Sequence, residues 1–283
     1  MLLWIGLMPV CTMAANVKKD LSEAIADKSV IMEAVNFEGR YVGKTTRLSV
    51  TNTTKEVLQL KINPGVILKP NEDGYQPMVL LGEEMLVVGP GTSGQVEVQT
   101  FCGNSDASCP KTDLHYSFSH VGSDTLIKVL GFISKNRIRT YLGQHAVWVI
   151  TNHKSLGTVY SAEEADLSKR FVDFLSSVTG LPKPDYYQLM TVHETPSQPV
   201  YVPKALKIVA EFQLYIREPK TLTFGVFNEK GVMIQKVFEN QEFPAMGHRF
   251  ELEFESSDEP AGKYFLRLKE GDKVLQEKMV IVE

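Results

Sequence analysis

Apolar and polar residues alternate with a period of two along most of the chain between residues 30 and 100. The apolar positions that share a face are Leu48 and Val50, then Leu58, Leu60 and Ile62, and then Val96 and Val98. The segments NTTK, NPG, PNEDG and GPGTSG separate these runs and are rich in residues that form tight turns. Short alternating strands at this spacing predict an immunoglobulin-like antiparallel β-sandwich over residues 16–122.

The period of the apolar positions changes to that of a helix after Gly122. Ser123 is a predicted N-cap, and Ser161 with Glu164 has the spacing of a capping box before a second helix. The helical stripes contain Leu126, Ile127, Leu130 and Ile133, and then Leu167, Phe171, Phe174, Leu175 and Val178, before Gly180 and Pro182. The stretch GQHAVWVITN, residues 143–152, lies between the two helices. We therefore predict a helical subdomain over residues 123–181, packed on the sandwich.

A polar segment with five prolines and no regular period covers residues 182–205 and is a predicted linker. The two-residue period returns beyond it. Its apolar positions are Leu222, Phe224 and Val226, then Phe250, Leu252 and Phe254, then Tyr264, Leu266 and Leu268, and finally Met279 and Ile281. About seven short strands over residues 206–283 predict a second immunoglobulin-like sandwich. The predicted fold class is mainly β: two immunoglobulin-like antiparallel β-sandwiches, the first followed by a small helical subdomain.

The first 15 residues, MLLWIGLMPVCTMAA, form an apolar run that ends in small residues, as in an export signal. The run is shorter than the roughly 20 apolar residues that cross a membrane as a helix. We expect a signal peptide over residues 1–15 and no membrane span in the mature chain. The expected location is extracytoplasmic, in the periplasm, at the cell surface or in the secreted fraction.

The chain has 283 residues, 43% of them hydrophobic, and a formal net charge of -4. This length and composition are sufficient for two domains with apolar cores. The charge lacks the basic excess that neutralises a phosphate backbone, so a nucleic-acid partner is not expected.

Two cysteines lie beyond the predicted signal, Cys102 and Cys109 in TFCGNSDASCP. In an oxidising compartment, a pair that closes a short loop of Gly, Asn and Ser residues is most often a disulfide. We therefore predict that Cys102 and Cys109 are joined by a disulfide.

The remaining chemical groups form no familiar catalytic or metal-binding motif. His115 and His120 are five residues apart and His145 and His153 are eight apart, and neither spacing fits a zinc motif. The sequence has no HExxH motif, no nucleophile elbow and no phosphate-binding loop. We expect a protein without enzymatic activity, with no metal and no other cofactor.

The C-terminal segment PAGKYFLRLKEGDKVLQEKMVIV, with VFNEKG upstream, has a turn ending in glycine, an aromatic strand, a polar hairpin and a last apolar strand. It resembles the C-terminal modules of secreted Bacteroidetes proteins, namely the type IX secretion sorting domain and the flagellar hook-capping immunoglobulin-like domain. The resemblance covers about the last 75 residues and implies a role in export, attachment or spacing. Sorting domains usually end in a basic residue, whereas this chain ends in Glu283.

The stretch GQHAVW resembles the glutamine block of the thioester domains of surface adhesins. The matching residues are Gln144, Ala146, Val147 and Trp148. In that family an upstream cysteine and this glutamine form an internal thioester, which an amine on the host surface can open. The matching cysteine is Cys102, and Gly143 stands where the family usually has threonine.

The same stretch has a second interpretation as a packed helix. In that interpretation Gln144 and His145 lie near the helix N-terminus and bond backbone groups or water. The sequence thus supports a secreted or cell-surface, non-enzymatic binding or structural protein that presents loops on β-sandwich domains to a protein or glycan partner. The alternative is a covalent adhesin with an internal Cys102–Gln144 thioester.

Overall fold

The structure is a computed structural model that describes residues 16–82, 84–193 and 198–283. The predicted signal peptide, residues 1–15, lies outside the described residues. The described chain is mainly β, with several sheets and four α-helices. No helix among the described residues is long and apolar enough to cross a membrane.

The N-terminal region contains nine strands and one short helix. They are β1 (Asn16–Asp20), α1 (Leu21–Ala26), β2 (Val30–Asn36), β3 (Gly43–Asn52), β4 (Val57–Lys61), β5 (Val66–Pro70), β6 (Met78–Leu80), β7 (Met85–Val88), β8 (Ser93–Cys102) and β9 (Leu114–Val121). Six strands close into a barrel in the order β2-β3-β8-β6-β5-β9, and β1, β4 and β7 form a separate three-stranded sheet. A barrel thus replaces the sandwich expected over residues 16–122.

The barrel closes through β9, which pairs with both β2 and β5. Ala34 lies opposite Tyr116 at one junction, and Leu68 lies opposite Phe118 at the other. The two-residue period shows only that one face of each strand is buried, which is true of a sandwich and of a barrel alike. Closure depends on pairing between strands that are distant in sequence, which is why the pattern did not reveal it.

Three α-helices and one 3-10 turn follow the barrel: α2 (Asp124–Lys135), α3 (Tyr141–Thr151), the turn Leu156–Thr158 and α4 (Ala165–Thr179). Ser123 caps α2 as predicted, because its Oγ accepts a hydrogen bond from the Leu126 N–H. The predicted Ser161–Glu164 capping box is wrong. Ser168 takes its place: its Oγ accepts from the Ser161 N–H and donates to the Glu164 carbonyl.

The helices cover the outer surface of one side of the barrel. One core joins the helices to two barrel strands. The barrel contributes Val79 of β6, Leu81 directly after β6, and Phe101 of β8. The helical residues of that core include Leu126, Leu130, Ile133, Leu142, Val147, Phe171 and Leu175. Strand β8 therefore contacts the barrel interior on one face and helix α3 on the other.

The C-terminal region contains two antiparallel sheets that share a core. Its strands are β10 (Tyr187–Leu189), β11 (Lys207–Tyr215), β12 (Lys220–Asn228), β13 (Met233–Phe243), β14 (Gly247–Glu255), β15 (Gly262–Glu270) and β16 (Lys273–Val282). The sheet orders are β10-β11-β14 and β13-β12-β15-β16. Strand β10 lies within the segment that was predicted to be a linker. In β16 the core positions are Val280 and Val282, whereas Met279 and Ile281 are each 48% exposed.

Candidate functional site

Helix α3 carries the stretch GQHAVWVITN and is almost entirely buried. Its residues from Leu142 to Val149 all lie in the interior. The helix is apolar on nearly every side because it lies between β8, the other helices and the segment around Tyr201. Gln144 and His145 are thus polar side chains inside a protein core.

The Gln144 carboxamide pairs with the backbone of Cys102, the last residue of β8. The Cys102 N–H donates to Gln144 Oε1 at 2.8 Å, and Gln144 Nε2 donates to the Cys102 carbonyl at 2.9 Å. Both residues are completely buried. The structure therefore brings together the two residues of the predicted thioester alternative. The same bonds also match the packed-helix interpretation, in which Gln144 bonds backbone groups.

The backbone of Cys102 is extended, so its N–H and carbonyl point to the same side of the strand. Its side chain leaves the strand at right angles to that direction. The thiol therefore stands to one side of the plane in which the Gln144 amide is bonded. The Cys102 side chain packs in the barrel core, in the cluster that also contains Cys109.

A glycine at position 143 allows the close contact between α3 and β8. A Cβ added there would lie 3.0 Å from Phe101 Cζ and 3.1 Å from its Cε1, closer than almost all real contacts of this kind. The Phe101 ring is fully buried and has no room to move aside. Glycine at position 143 thus has a steric reason in this chain.

Burial controls the chemistry of the Cys102 thiol. Removal from water raises the pKa of Cys102 well above its usual value, and the nearby Cys109 raises it further. Cys102 is therefore a neutral thiol at physiological pH. Neutral thiols are weak nucleophiles, so any reaction of Cys102 depends on how closely its target is held.

The predicted disulfide is not seen: Cys102 and Cys109 are both thiols in the structure. The Cys109 Sγ instead donates to the His193 carbonyl at 3.0 Å, and the Cys109 N–H donates to the Gln198 carbonyl. Cys109 thus holds the chain on either side of residues 194–197 against the barrel. The disulfide stays a prediction that a mass measurement can decide.

His145 lies beside aromatic rings. Its ring centroid is 5.2 Å from that of Trp148 and 6.4 Å from that of Tyr201. Burial lowers the pKa of His145 to about 4, so the ring is neutral near neutral pH. The structure gives its Nδ1 no hydrogen-bond partner among the described residues.

Sequence reasoning missed several residues around the site. Tyr41 and Tyr116 are buried in the same core as Cys102. Neither the residue type nor the place of these tyrosines in the sequence indicated that they lie there. Tyr201 came from the predicted linker, yet its ring lies 6.0 Å from that of Trp148. The exposed His115 and His120 lie on β9, and the described residues contain no group of three His, Cys, Asp or Glu side chains able to hold a metal.

No family model and no curated protein matches the chain. Among solved structures, the chain is similar to a β-glucosidase from Kluyveromyces marxianus, with 10% sequence identity and a TM-score of 0.21. The match covers 84% of this chain and 44% of the β-glucosidase chain, so the chain spans less than half the length of that structure. A likeness at this TM-score carries no argument about fold or activity.

Proposed function

We propose that the protein attaches covalently to a partner outside the cytoplasm through an internal thioester between Cys102 and Gln144. The observation that carries the proposal is the pair of hydrogen bonds that holds the Gln144 carboxamide on the Cys102 backbone. The resemblance of GQHAVW to the glutamine block of adhesin thioester domains supports the same pair of residues. The partner would be a protein or a glycan that carries an amine.

Thioester formation joins Cys102 Sγ to Gln144 Cδ and breaks the bond between Cδ and Nε2. The thiol proton leaves with Nε2 as ammonia, so the step balances without an oxidant or a cofactor. The Cys102 N–H donates to Oε1, the atom on which negative charge develops during attack. Close placement of two reacting groups can lower the activation barrier by about 7–11 kcal/mol. A neutral thiol is a weak nucleophile and needs such a reduction.

A partner amine opens the thioester by attacking Cδ. A carbon–nitrogen bond forms, the carbon–sulfur bond breaks, and a proton from the amine restores the Cys102 thiol. The partner is then held by an amide on the Gln144 side chain. Each molecule reacts once, so the result is attachment rather than enzymatic turnover. Complete burial of both residues keeps bulk water from Cδ and protects the thioester from hydrolysis.

The second candidate is a binding or structural protein that presents its loops without covalent chemistry. The burial of Gln144 favours this candidate, because a buried amide that pairs with a strand end also fixes a helix on a barrel. In both candidates the C-terminal pair of sheets is an immunoglobulin-like module for export, attachment or spacing. The predicted signal peptide and the resemblance to secreted Bacteroidetes modules support a location outside the cytoplasm.

Treatment with methylamine followed by peptide mapping tests the first candidate. We expect methylamine on the peptide that contains Gln144 and a newly reactive thiol at Cys102. Cys102→Ser and Gln144→Ala should incorporate none, whereas the matched control Cys109→Ser should incorporate as much as the natural chain. Absence of methylamine from Gln144 in the natural chain would exclude covalent attachment and favour the second candidate.

A further inference from the structure

A cleft of about 350 Å³ opens where the loop between β2 and β3 meets the start of α3. Its walls are residues 39–42 and residues 139–141. The described residues of this lining include two arginines, Arg40 and Arg139, and no acidic side chain. The whole chain has a formal net charge of -4, so the lining differs from the chain average in the sign of its charge. The volume lies at the small end of the range for ligand pockets and suits a ligand with a single ring.

Helix α3 begins at this cleft and adds to its positive charge. Thr140, the N-cap residue, lines the cleft. Among the described residues, the helix has neither a side-chain cap nor an acidic residue in its first turn. The helix is 11 residues long, so the partial positive charge of its first N–H groups is not compensated there. This helix end and the arginines favour an anionic ligand.

The Tyr41 hydroxyl is a buried donor that lacks an acceptor. Tyr41 lines the cleft and is only 3% exposed, and its Oη has no hydrogen-bond partner among the described residues. Burial raises the pKa of Tyr41, so the hydroxyl keeps its proton. The nearby hydroxyl of Tyr141 raises this pKa further.

Tyr141 shows where the Tyr41 hydroxyl lies. The two ring centroids are 6.2 Å apart, and Tyr141 lines the same cleft and is 44% exposed. A hydroxyl beside that of Tyr141 is therefore at the wall of the cleft. A buried donor without an acceptor costs stability, and an oxygen atom of a ligand in the cleft removes that cost.

We propose that this cleft binds an acidic sugar residue, one whose ring carries a carboxylate or a sulfate. The oxyanion accepts hydrogen bonds from the Arg40 guanidinium and the Tyr41 hydroxyl at the N-terminal end of α3. The exposed Tyr141 ring and the Thr140 hydroxyl contact the sugar ring. Tyrosine suits this contact because its ring is apolar and its edge carries a polar hydroxyl, a combination that matches the apolar faces and polar edges of a sugar. The site uses neither Cys102 nor Gln144, so it is independent of the proposed thioester.

Calorimetric titrations of the natural chain with D-glucuronate and with glucose 6-sulfate test this inference. D-glucose is the uncharged control, and acetate and inorganic sulfate are the matching anions without a sugar ring. We expect at least one acidic sugar to bind about tenfold or more tightly than glucose and than its matching anion. The tighter of the two acidic sugars identifies the anionic group. No binding of either acidic sugar, or equal binding of glucose or of the simple anion, would overturn the inference.

Tyr41→Phe removes the unpartnered hydroxyl and keeps the ring, so it should fold and should weaken binding of the acidic sugar by about tenfold. Tyr116→Phe is the matched control. Tyr116 is also buried with an unpartnered Oη, but it is not among the described residues that line the cleft, and its variant should bind as the natural chain does. Equal losses of affinity in the two variants, or no loss in Tyr41→Phe, would contradict the role of the Tyr41 hydroxyl.

Arg40→Gln should also weaken binding of the acidic sugar by about tenfold, because it removes a charged donor. Arg217→Gln makes the same change of charge at an exposed position of the C-terminal region and should leave the affinity unchanged. Equal affinities in these two variants would exclude Arg40 from the site. The intact mass of the same samples reports the thioester, so failure of either proposal is recognised separately.

Discussion

The barrel with its helices and the C-terminal pair of sheets differ in what they bury. Among the described residues, twelve of the fourteen buried polar or charged side chains lie before residue 182, and only Thr223 and Ser256 lie beyond it. Both of these are bonded: Thr223 Oγ1 accepts from the Asn240 N–H, and Ser256 Oγ donates to the Ala205 carbonyl. The C-terminal core is otherwise apolar and rich in phenylalanine.

The N-terminal region also buries polar atoms that the described structure does not pair. His145 Nδ1, Trp148 Nε1 and Tyr116 Oη have no hydrogen-bond partner among the described residues. A polar group buried without a partner costs roughly 1–3 kcal/mol. The C-terminal region therefore pairs its few buried polar side chains, whereas the N-terminal region leaves buried polar atoms unpaired near Cys102 and Gln144. Such costs are typical of functional sites.

The largest expected effect is in the C-terminal core. Phe224→Ala removes a fully buried ring that lies 4.9 Å from Phe212, and it should lower the free energy of unfolding by about 3–5 kcal/mol. Urea unfolding followed by fluorescence and circular dichroism measures this loss. Val237→Ala, at a residue 42% exposed on the neighbouring strand, is the control and should change the free energy by no more than about 0.5 kcal/mol. Similar losses in the two variants would contradict an apolar core centred on Phe224.

The next effect should appear in acid and come from the N-terminal region. The pKa of His145 is about 4 in the folded protein, against 6.5 for an ordinary histidine. Between these values the unfolded chain binds a proton that the folded chain does not, so stability falls as pH falls from 6.5 to about 4. At pH values below about 4, the loss of unfolding free energy that comes from this residue should reach about 3 kcal/mol.

Urea titrations at several pH values, on the natural chain and on His145→Leu, measure this contribution. The variant should lose less stability in acid than the natural chain. The control His115→Gln, at an exposed position on β9, should follow the natural chain. A parallel acid loss in His145→Leu and the natural chain would show that His145 is not the group responsible.

The smallest effect concerns the contact between α3 and β8. Gly143→Ala places a Cβ against Phe101. It should lower the free energy of unfolding by roughly 1–2 kcal/mol, because the clash outweighs the better helix propensity of alanine. Gly131→Ala is the matched control in α2, where an added Cβ meets nothing within 4 Å, and it should stabilise by about 0.5–1 kcal/mol. Thermal unfolding of both variants gives the difference. Stabilisation by both substitutions would show that α3 does not need a glycine at this position.

The sequence predicted local features better than long-range ones. Ser123 caps α2, and Gly180 ends α4 in the left-handed conformation with φ 74°, because both features depend on neighbouring residues alone. The barrel was not predictable, because its closure depends on β9 pairing with both β2 and β5. The alternation in β16 was also ambiguous, since Met279 to Val282 are all apolar and only the pairing with β15 decides which two face the core.

The candidate site was predicted only through its residue types. Cys102 and Gln144 are 42 residues apart, and the family resemblance, not any period, linked them. The sequence did not place Tyr41 or Tyr201 near the site. Each lies in a segment between strands, and the path of such a segment depends on the tertiary structure. A disulfide between Cys102 and Cys109 and a thioester between Cys102 and Gln144 remain mutually exclusive predictions.

The intact mass of the untreated protein, without reducing agent, tests the central claim most directly. A Cys102–Gln144 thioester predicts a mass that is lower than that of the chain by one ammonia molecule, and the same deficit in Cys109→Ser but not in Cys102→Ser. A mass lower by two hydrogens would show the Cys102–Cys109 disulfide. That result, or a mass with no deficit at all, would contradict the thioester.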